Sequence, residues 1–490
     1  MATKHVILLS VDCLRADRLG CYGYERNTTP NIDKLADNGI RWSRCYSTGP
    51  RTNESFPGIV AAALSTDSGY AGDAWHRTPP EPSIGSWLSD LGYDTAARLA
   101  NPQLAAMKEY DRGINSFRNL AVGSVGWGVS ENNTSNGAEF NPTSFTDKLQ
   151  SKVRNFRDGL RNSGIISRQL FYTPMFCAYR EYQRRDDWPT IDGKKVAAKL
   201  IKTLPQSENI DQPLFRWAHF NDIHAPIHPD RVNDSTLESM PKIYQYFGDI
   251  ERIRQEPSQK YERMYDATIK YIDRRIGEVV DELKRNELWE DSVLIVTADH
   301  GEALYDRGMH GHASGNDRYL YDETRDYMYD ELLHVPLICA GGAVNQTKTV
   351  TAPFSTAWLN ELVAEVAGLP QGEFVRSSGL DSVFSETQPR VVLSDALTDK
   401  GHTFSATNGE YKLITRSLSP GDDILSDAYL FDLTKDPKEQ SPIDVDKAPT
   451  SLVEAINGNV RTLEDLPDTS RGRQVSDQTK ERLSQMGYTE

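Results

Sequence analysis

Cysteine is scarce in this chain, and what there is forms no pattern. The five cysteines (Cys13, Cys21, Cys45, Cys177, Cys339) are odd in number and contain no Cys-x-x-Cys pair. A disulfide framework and a thiolate zinc cluster are therefore excluded as organising devices. Long apolar runs are missing too. Stretches such as Val6–Leu9 are strand-length, well short of the roughly 18 residues that a membrane-spanning helix needs. The N-terminus enters that strand almost at once, without a secretory apolar region and cleavage site, so a cytoplasmic location is the expectation. Basic charge is in deficit: 55 Lys+Arg face 71 Asp+Glu, a formal net charge of −16. Such a field repels nucleic acid and anionic membranes, so neither is expected as a partner. It also opposes an anionic substrate, so any site for one needs a metal ion or local cations.

What is present suits a large globular enzyme. With 490 residues, 38% hydrophobic and 26% charged, the chain is long enough for one large α/β domain and a smaller one. His5–Val11, Thr95–Leu99, Leu214–Phe220 and Ser292–Ala298 read as buried strands. They alternate with helices at Lys34–Asn38, Thr52–Ala63, Ile84–Leu91, Lys194–Leu204 and Tyr261–Leu283. That alternation predicts a doubly wound, mostly parallel sheet flanked by helices, with its binding edge just past the strand ends. The catalytic domain is expected over residues 1–385, with a variable surface insertion at 118–190 rich in Asn, Gly, Ser and Arg. Residues 386–490 read as a small antiparallel α+β subdomain, with short strands near Val391–Leu393, Phe404–Thr407, Tyr411–Thr415 and Ala428–Asp432 and a closing helix at Thr479–Met486.

Polar residues gather at the predicted strand ends. Asp12 follows the first strand, His224 follows Leu214–Phe220, and Asp299 and His300 follow Ser292–Ala298. Thr52 opens a helix, where free N–H groups and the dipole favour an anion. Singly, each has an ordinary structural role: an Asp after a strand caps a turn, Thr52-x-x-Ser55 starts a helix, and a strand-end His bonds to backbone. Together, carboxylates, a hydroxyl and an imidazole on one sheet edge make a site for a hard or borderline divalent ion.

The segments that carry these residues resemble the sulfatase family of the alkaline-phosphatase superfamily. Val11-Asp-Cys-Leu-Arg-Ala-Asp-Arg-Leu-Gly-Cys-Tyr-Gly23, Thr29-Pro-Asn-Ile-Asp-Lys-Leu-Ala36, Asn221-Asp-Ile-His-Ala-Pro226, Thr297-Ala-Asp-His-Gly-Glu302, Met309-His-Gly-His312, Tyr329–Ile338 and Tyr429–Glu439 are similar to its motifs, in order along nearly the whole chain. The resemblance implies an alkaline-phosphatase-like fold and a divalent metal held by Asp12, Asp299, His300 and Thr52. It places Thr52 as the nucleophile, and His224 and His312 at the substrate's non-bridging oxygens or leaving group. Asn101 falls where relatives keep a substrate-contacting Lys or His, and His310 and Arg51 are reserve anion contacts. The implied substrate is a small-molecule or glycan ester of sulfate or phosphate. No motif specifies an oligomeric state.

Two departures bear on the chemistry. Many members have two adjacent acids at the first metal position, whereas here the second is Cys13. One hard oxygen ligand is lost, which weakens a Ca site and with His300 favours Mn, Mg or Zn. Typical members carry Cys-x-Pro-x-Arg, whose cysteine becomes formylglycine. This chain reads Thr52-Asn-Glu-Ser-Phe56, so no formylglycine is expected and an unmodified Thr52 hydroxyl, with Ser55 as rival, is the candidate nucleophile. A cation at a hydroxyl eases its ionisation, so no separate strong base is required. The leading expectation is a hydrolase of sulfuric or phosphoric esters working through a Thr52 adduct. A phosphoryl-group or phosphoglycerol-type transferase acting on a glycan or lipid head group, and a catalytically degenerate binder that kept the fold, are the alternatives.

Overall fold

A computed structural model describes residues 4–69, 78–122, 190–225, 227–238, 259–308, 310–312, 328–344, 346–398 and 401–467. In chain order the main elements are β1 (His5–Val11), α1 (Pro30–Asp37), β2 (Ile40–Tyr46), α2 (Thr52–Ala61), α3 (Ile84–Asp90), β3 (Asp94–Leu99), β4 (Ser116–Asn119), α4 (Gly193–Ile201), β5 (Leu214–Phe220), α5 (Pro229–Asp234), α6 (Gln259–Arg285) and β6 (Ser292–Ala298). There follow β7 (Ala303–Leu304), β8 (His310–Gly311), α7 (Asp330–Leu333), β9 (His334–Ala340), β10 (Lys348–Val350), β11 (Phe354–Ser355), α8 (Leu359–Ala367), β12 (Val392–Thr398), β13 (Gly401–Thr407), β14 (Tyr411–Ser417), β15 (Ala428–Asp432) and α9 (Thr450–Asn457).

The main sheet runs β10-β2-β9-β6-β1-β5-β3-β4, with β11 beside β2. β1 is parallel to both β5 and β6, and β3 is parallel to β5. Every residue of β1, β5 and β6 is buried, as expected of central strands covered on both faces. One face is covered by α8, which packs on β1, β6 and α2. The other carries α4, packed on β3 and β5, and the long α6, which packs against α1, α4 and α5 and sends Ile272, Ile276 and Val279 into the main core. Carboxylates tie this layer together. Asp273 of α6 accepts from Asn31 N and Ile32 N at the start of α1, at 3.0 and 2.8 Å, and Asp222 accepts from Gly193 N at the start of α4, at 2.9 Å. Negative charge at a helix N-terminus satisfies donors that the helix itself cannot.

The doubly wound, mostly parallel architecture matches the sequence expectation, with one strand reversed: β9 runs antiparallel to both β2 and β6. Arg118, at the start of the expected insertion, lies in edge strand β4, paired to Arg98 of β3. Residues 123–189 and the expected helix Thr479–Met486 lie outside the described residues. The C-terminal region forms the antiparallel sheet β12-β13-β14-β15, its first three strands longer than the local pattern suggested and the fourth at the expected Ala428–Asp432. It packs a core of its own from Phe404, Leu413, Leu430, Leu452 and Ile456. This sheet also braces the site. Asp395 N donates to Thr48 O at 2.8 Å, the Asp395 carboxylate accepts from Ser65 N and Thr66 Oγ1, and Ser394 Oγ donates to Ser47 O. The segment holding Thr52 is thus pinned on both sides of α2.

Candidate active site

Parallel strands carry their C-terminal ends to one edge, and that edge collects the chemistry. Asp12 follows β1, Asn101 lies just past β3, and Asp299 and His300 follow β6. Thr52 is the first residue of α2, with Arg51 in the N-cap position. Asp12, Thr52, Asn101, Asp299 and His300 are all fully buried.

Hydrogen bonds join them. Thr52 Oγ1 donates to Asp299 Oδ2 at 3.0 Å and stands 3.4 Å from His300 Nε2. His300 Nε2 is 3.6 Å from Asp12 Oδ1 and 3.5 Å from Asp299 Oδ2. A divalent ion bound at about 2.0–2.2 Å sets neighbouring donor atoms roughly 3.0–3.6 Å apart, so these separations fit such an ion. The tautomer of His300 fits as well. Its Nδ1–H donates to Gly301 O at 2.8 Å, which leaves the Nε2 lone pair facing the cluster.

Asn101 has its amide oriented by a similar logic. Gln103 N donates to Asn101 Oδ1 at 2.9 Å, so Nδ2 points inward, 2.7 Å from Asp12 Oδ2 and 3.3 Å from Thr52 Oγ1. The site therefore has an amide donor where the family resemblance implied a cationic or imidazole one.

His224 and His312 stand beside this cluster and are buried as well. Their rings lie 4.9 Å apart, centroid to centroid, and His312 lies 4.4 Å from His300. His224 Nδ1 donates to Ala225 O at 2.5 Å, and His312 Nδ1 faces Glu302 Oε1 at 3.1 Å. Arg51 pairs with buried Glu54, Nη2 to Oε1 at 2.7 Å, and its charge acts on His312. His310 pairs with Leu304 through the short β7–β8 ladder, but its side chain lies outside the described residues. Ser55 does not enter the cluster: its hydroxyl turns back to Thr52 O at 3.4 Å.

The electrostatics follow from burial. Asp299 is pushed well above the usual carboxylate range by burial and by the charge of Asp12. Burial acts in the same direction on Asp12, but the imidazoles of His219, His224 and His300 outweigh it in their protonated forms and hold Asp12 low. Burial depresses His224, and burial with the neighbouring His300 pushes His312 down to about 3. Two carboxylates sharing a dry site with lone-pair-bearing imidazoles form an environment that a cation relieves.

Three participants lie outside the sequence-derived set. Cys13 takes a left-handed backbone (φ 61°) that turns its sulfur into the site, 3.0 Å from Asp12 Oδ1 and 3.6 Å from His312 Nδ1. Burial, then Asp12, pushes its thiol well up, so it is a neutral donor to that carboxylate. Glu302 holds His312, and its place two residues past His300 was the available signal. His219, next to last in β5, comes within 3.6 Å of Asp12 Oδ2. Its only sequence signal is a histidine within an otherwise buried strand. Gly301 allows the Asp299–His300 turn to form, because a Cβ there would run into the Glu331 backbone carbonyl.

Comparison with known proteins agrees with the geometry. The family model described as Sulfatase matches residues 4–370. An N-acetylglucosamine-6-O-sulfatase of Bacteroides thetaiotaomicron is 22% identical over 403 residues, 75% of this chain and 69% of the relative. An arylsulfatase of Clostridium perfringens is 23% identical over 325 residues, 62% and 64% of the two chains. Among solved structures, one in complex with its substrate D-glucosamine-2-N,6-O-disulfate superposes with a TM-score of 0.60 at 15% identity, covering 93% of this chain and 97% of that one. The phosphonate monoester hydrolase of Agrobacterium radiobacter gives 0.55 at 15% identity, covering 93% and 94%. With the family model spanning most of its length, this chain belongs to the sulfatase family, and it is a sulfuric ester hydrolase by class.

Proposed function

We propose that the protein hydrolyses a sulfate or phosphate ester with the unmodified Thr52 hydroxyl as nucleophile, in a site where Asp12, Asp299, His300 and Thr52 hold a divalent cation. The observation that carries this reading is the position of Thr52 Oγ1, at a helix N-terminus, 3.0 Å from Asp299 Oδ2 and 3.4 Å from His300 Nε2. Such an ion, when bound, eases ionisation of the hydroxyl and offsets charge developing on the ester oxygens.

The remaining steps belong to the chain. Thr52 gives up its proton along the bond to Asp299 and attacks sulfur or phosphorus, and the ester oxygen leaves on the opposite side. N–H groups of α2 and the inward Nδ2 of Asn101 face the oxygens that gain charge. Burial favours the neutral forms of His224 and His312. An entering anion favours their protonated forms, so each takes up a proton with the substrate and can pass it to the leaving oxygen. Water then displaces the Thr52 adduct and restores the hydroxyl.

The relatives named as sulfatases support a sulfuric ester, and the 6-O-sulfatase relative supports a sulfated sugar as its carrier. The threonine at the nucleophile position supports a phosphorus ester as the second reading. An assay on aryl sulfate, aryl phosphate and bis-aryl phosphate, with Mn2+ added, separates the two. Turnover of any of them that survives Thr52→Ala unchanged removes the nucleophile from the proposal.

A further inference from the structure

The imidazole of His219 is held through Nδ1, which lies 3.0 Å from Ser10 Oγ. Ser10 Oγ accepts from Trp217 Nε1 at 3.1 Å and has one hydrogen, with Ala218 O at 3.2 Å and His219 Nδ1 as its two acceptors. When that hydrogen goes to Ala218 O, Nδ1 is the donor and Nε2 of the neutral ring carries the lone pair. Phe56 packs edge-on against the ring, centroids 4.9 Å apart, and fixes its plane.

That Nε2 is fully buried and has no hydrogen-bond partner among the described residues. It faces Asp12 Oδ2 at 3.6 Å, and it lies within 4.8 Å of a carboxylate oxygen of both Asp12 and Asp299. A buried lone pair aimed at two carboxylates is unfavourable unless something positive stands between them. His300 also has Nδ1 tied, to Gly301 O, and Nε2 near Asp12, at Oδ1 where His219 is near Oδ2.

From this we infer that His219 is a ligand of the metal ion, supplying through Nε2 the donor that Cys13 withdraws from the second acid position. The inference rests on the proposed metal site and specifies its donor set: two carboxylates, the Thr52 hydroxyl and two imidazoles. Two nitrogen donors select a borderline transition ion such as Mn2+, Co2+ or Zn2+ over Ca2+, whose ligands are oxygens. Ser10 is the positioning residue, since it sets which nitrogen of His219 faces the ion.

Pulsed EPR of the wild-type protein loaded with Mn2+ counts the coordinated imidazoles directly. Couplings to two imidazole nitrogens are expected, and a single one overturns the inference. Titration with Co2+ supplies the second readout. His219→Gln is expected to weaken Co2+ binding at least tenfold and change its visible d–d spectrum, and Ser10→Ala, which keeps the ring, to weaken it to a smaller degree. Co2+ affinity and spectrum identical to wild type in both variants also overturn it. Wild-type protein that binds neither Mn2+ nor Co2+ instead overturns the underlying metal site, so the two failures are distinct.

Discussion

Thr52 and Asp299 are 247 residues apart in the chain, yet the threonine hydroxyl donates to the aspartate at 3.0 Å inside a fully buried site. The contact exists because β1 and β6 are parallel neighbours and α2 begins at the same sheet edge. It aligns the hydroxyl for loss of its proton, and it makes Thr52 the most sensitive position in the protein. Thr52→Ala is predicted to lower kcat by about a thousandfold or more, with KM changed far less. Thr52→Ser keeps the oxygen and is predicted to retain part of the activity. Steady-state kinetics on an aryl ester, with circular dichroism to verify folding, check both.

Asp299 carries a pH response. Its carboxyl is raised by burial and by Asp12, so its contribution to stability is fully present below the ordinary carboxylate pKa and is lost as pH rises through the elevated folded value. EDTA-treated protein is therefore predicted to lose stability as pH rises. Asp299→Asn is predicted to stabilise this metal-free form by roughly 1–3 kcal/mol while abolishing the response to metal. Thermal melts across pH, with EDTA and with Mn2+, read both effects.

Metal removal has its own signature. A site that assembles only in the folded state stabilises it by about 2.7 kcal/mol when free metal is a hundredfold above Kd. Melting temperature is predicted to rise with Mn2+ concentration in the wild type. Gly301→Ala, whose methyl collides with the Glu331 carbonyl, is predicted to lose most of that rise by displacing the Asp299–His300 turn.

How the site was written in the sequence follows from these same contacts. Asp12, Thr52, Asn101, Asp299 and His300 lie at ends of elements whose apolar periodicity is strong, and parallel strands bring such ends together whatever the loops do. The strands themselves were legible because β1, β5 and β6 are buried on both faces and are mostly apolar, with β1 and β6 close to continuous apolar runs. His219 was not legible, because strand periodicity says which face a residue takes and not which carboxylate waits there. The reversed strand β9 was also hidden, since a fully buried strand reads alike in either direction. The bracing of α2 by Ser394 and Asp395 depends on a contact between residues more than 300 positions apart.

A second pH response belongs to the C-terminal sheet. Lys412 is fully buried between Asp330 and Glu439, each 2.6 Å away. Burial, then Asp330, raises Glu439 from 4.5 to about 7. Its contribution to stability is present below about pH 4.5 and lost as pH rises through about 7, on the order of a few kcal/mol in total. Glu439→Gln is predicted to flatten the stability–pH curve across that window, measured by urea denaturation at fixed metal concentration.

The covalent role of Thr52 is tested most directly by trapping the reaction. Wild-type protein with metal and an aryl sulfate or aryl phosphate, quenched in acid during turnover and digested, is predicted to give a peptide carrying a sulfate or phosphate on Thr52, absent from the Thr52→Ala protein. Turnover with the modification on Ser55, or with the Thr52 peptide unmodified throughout, would contradict the account.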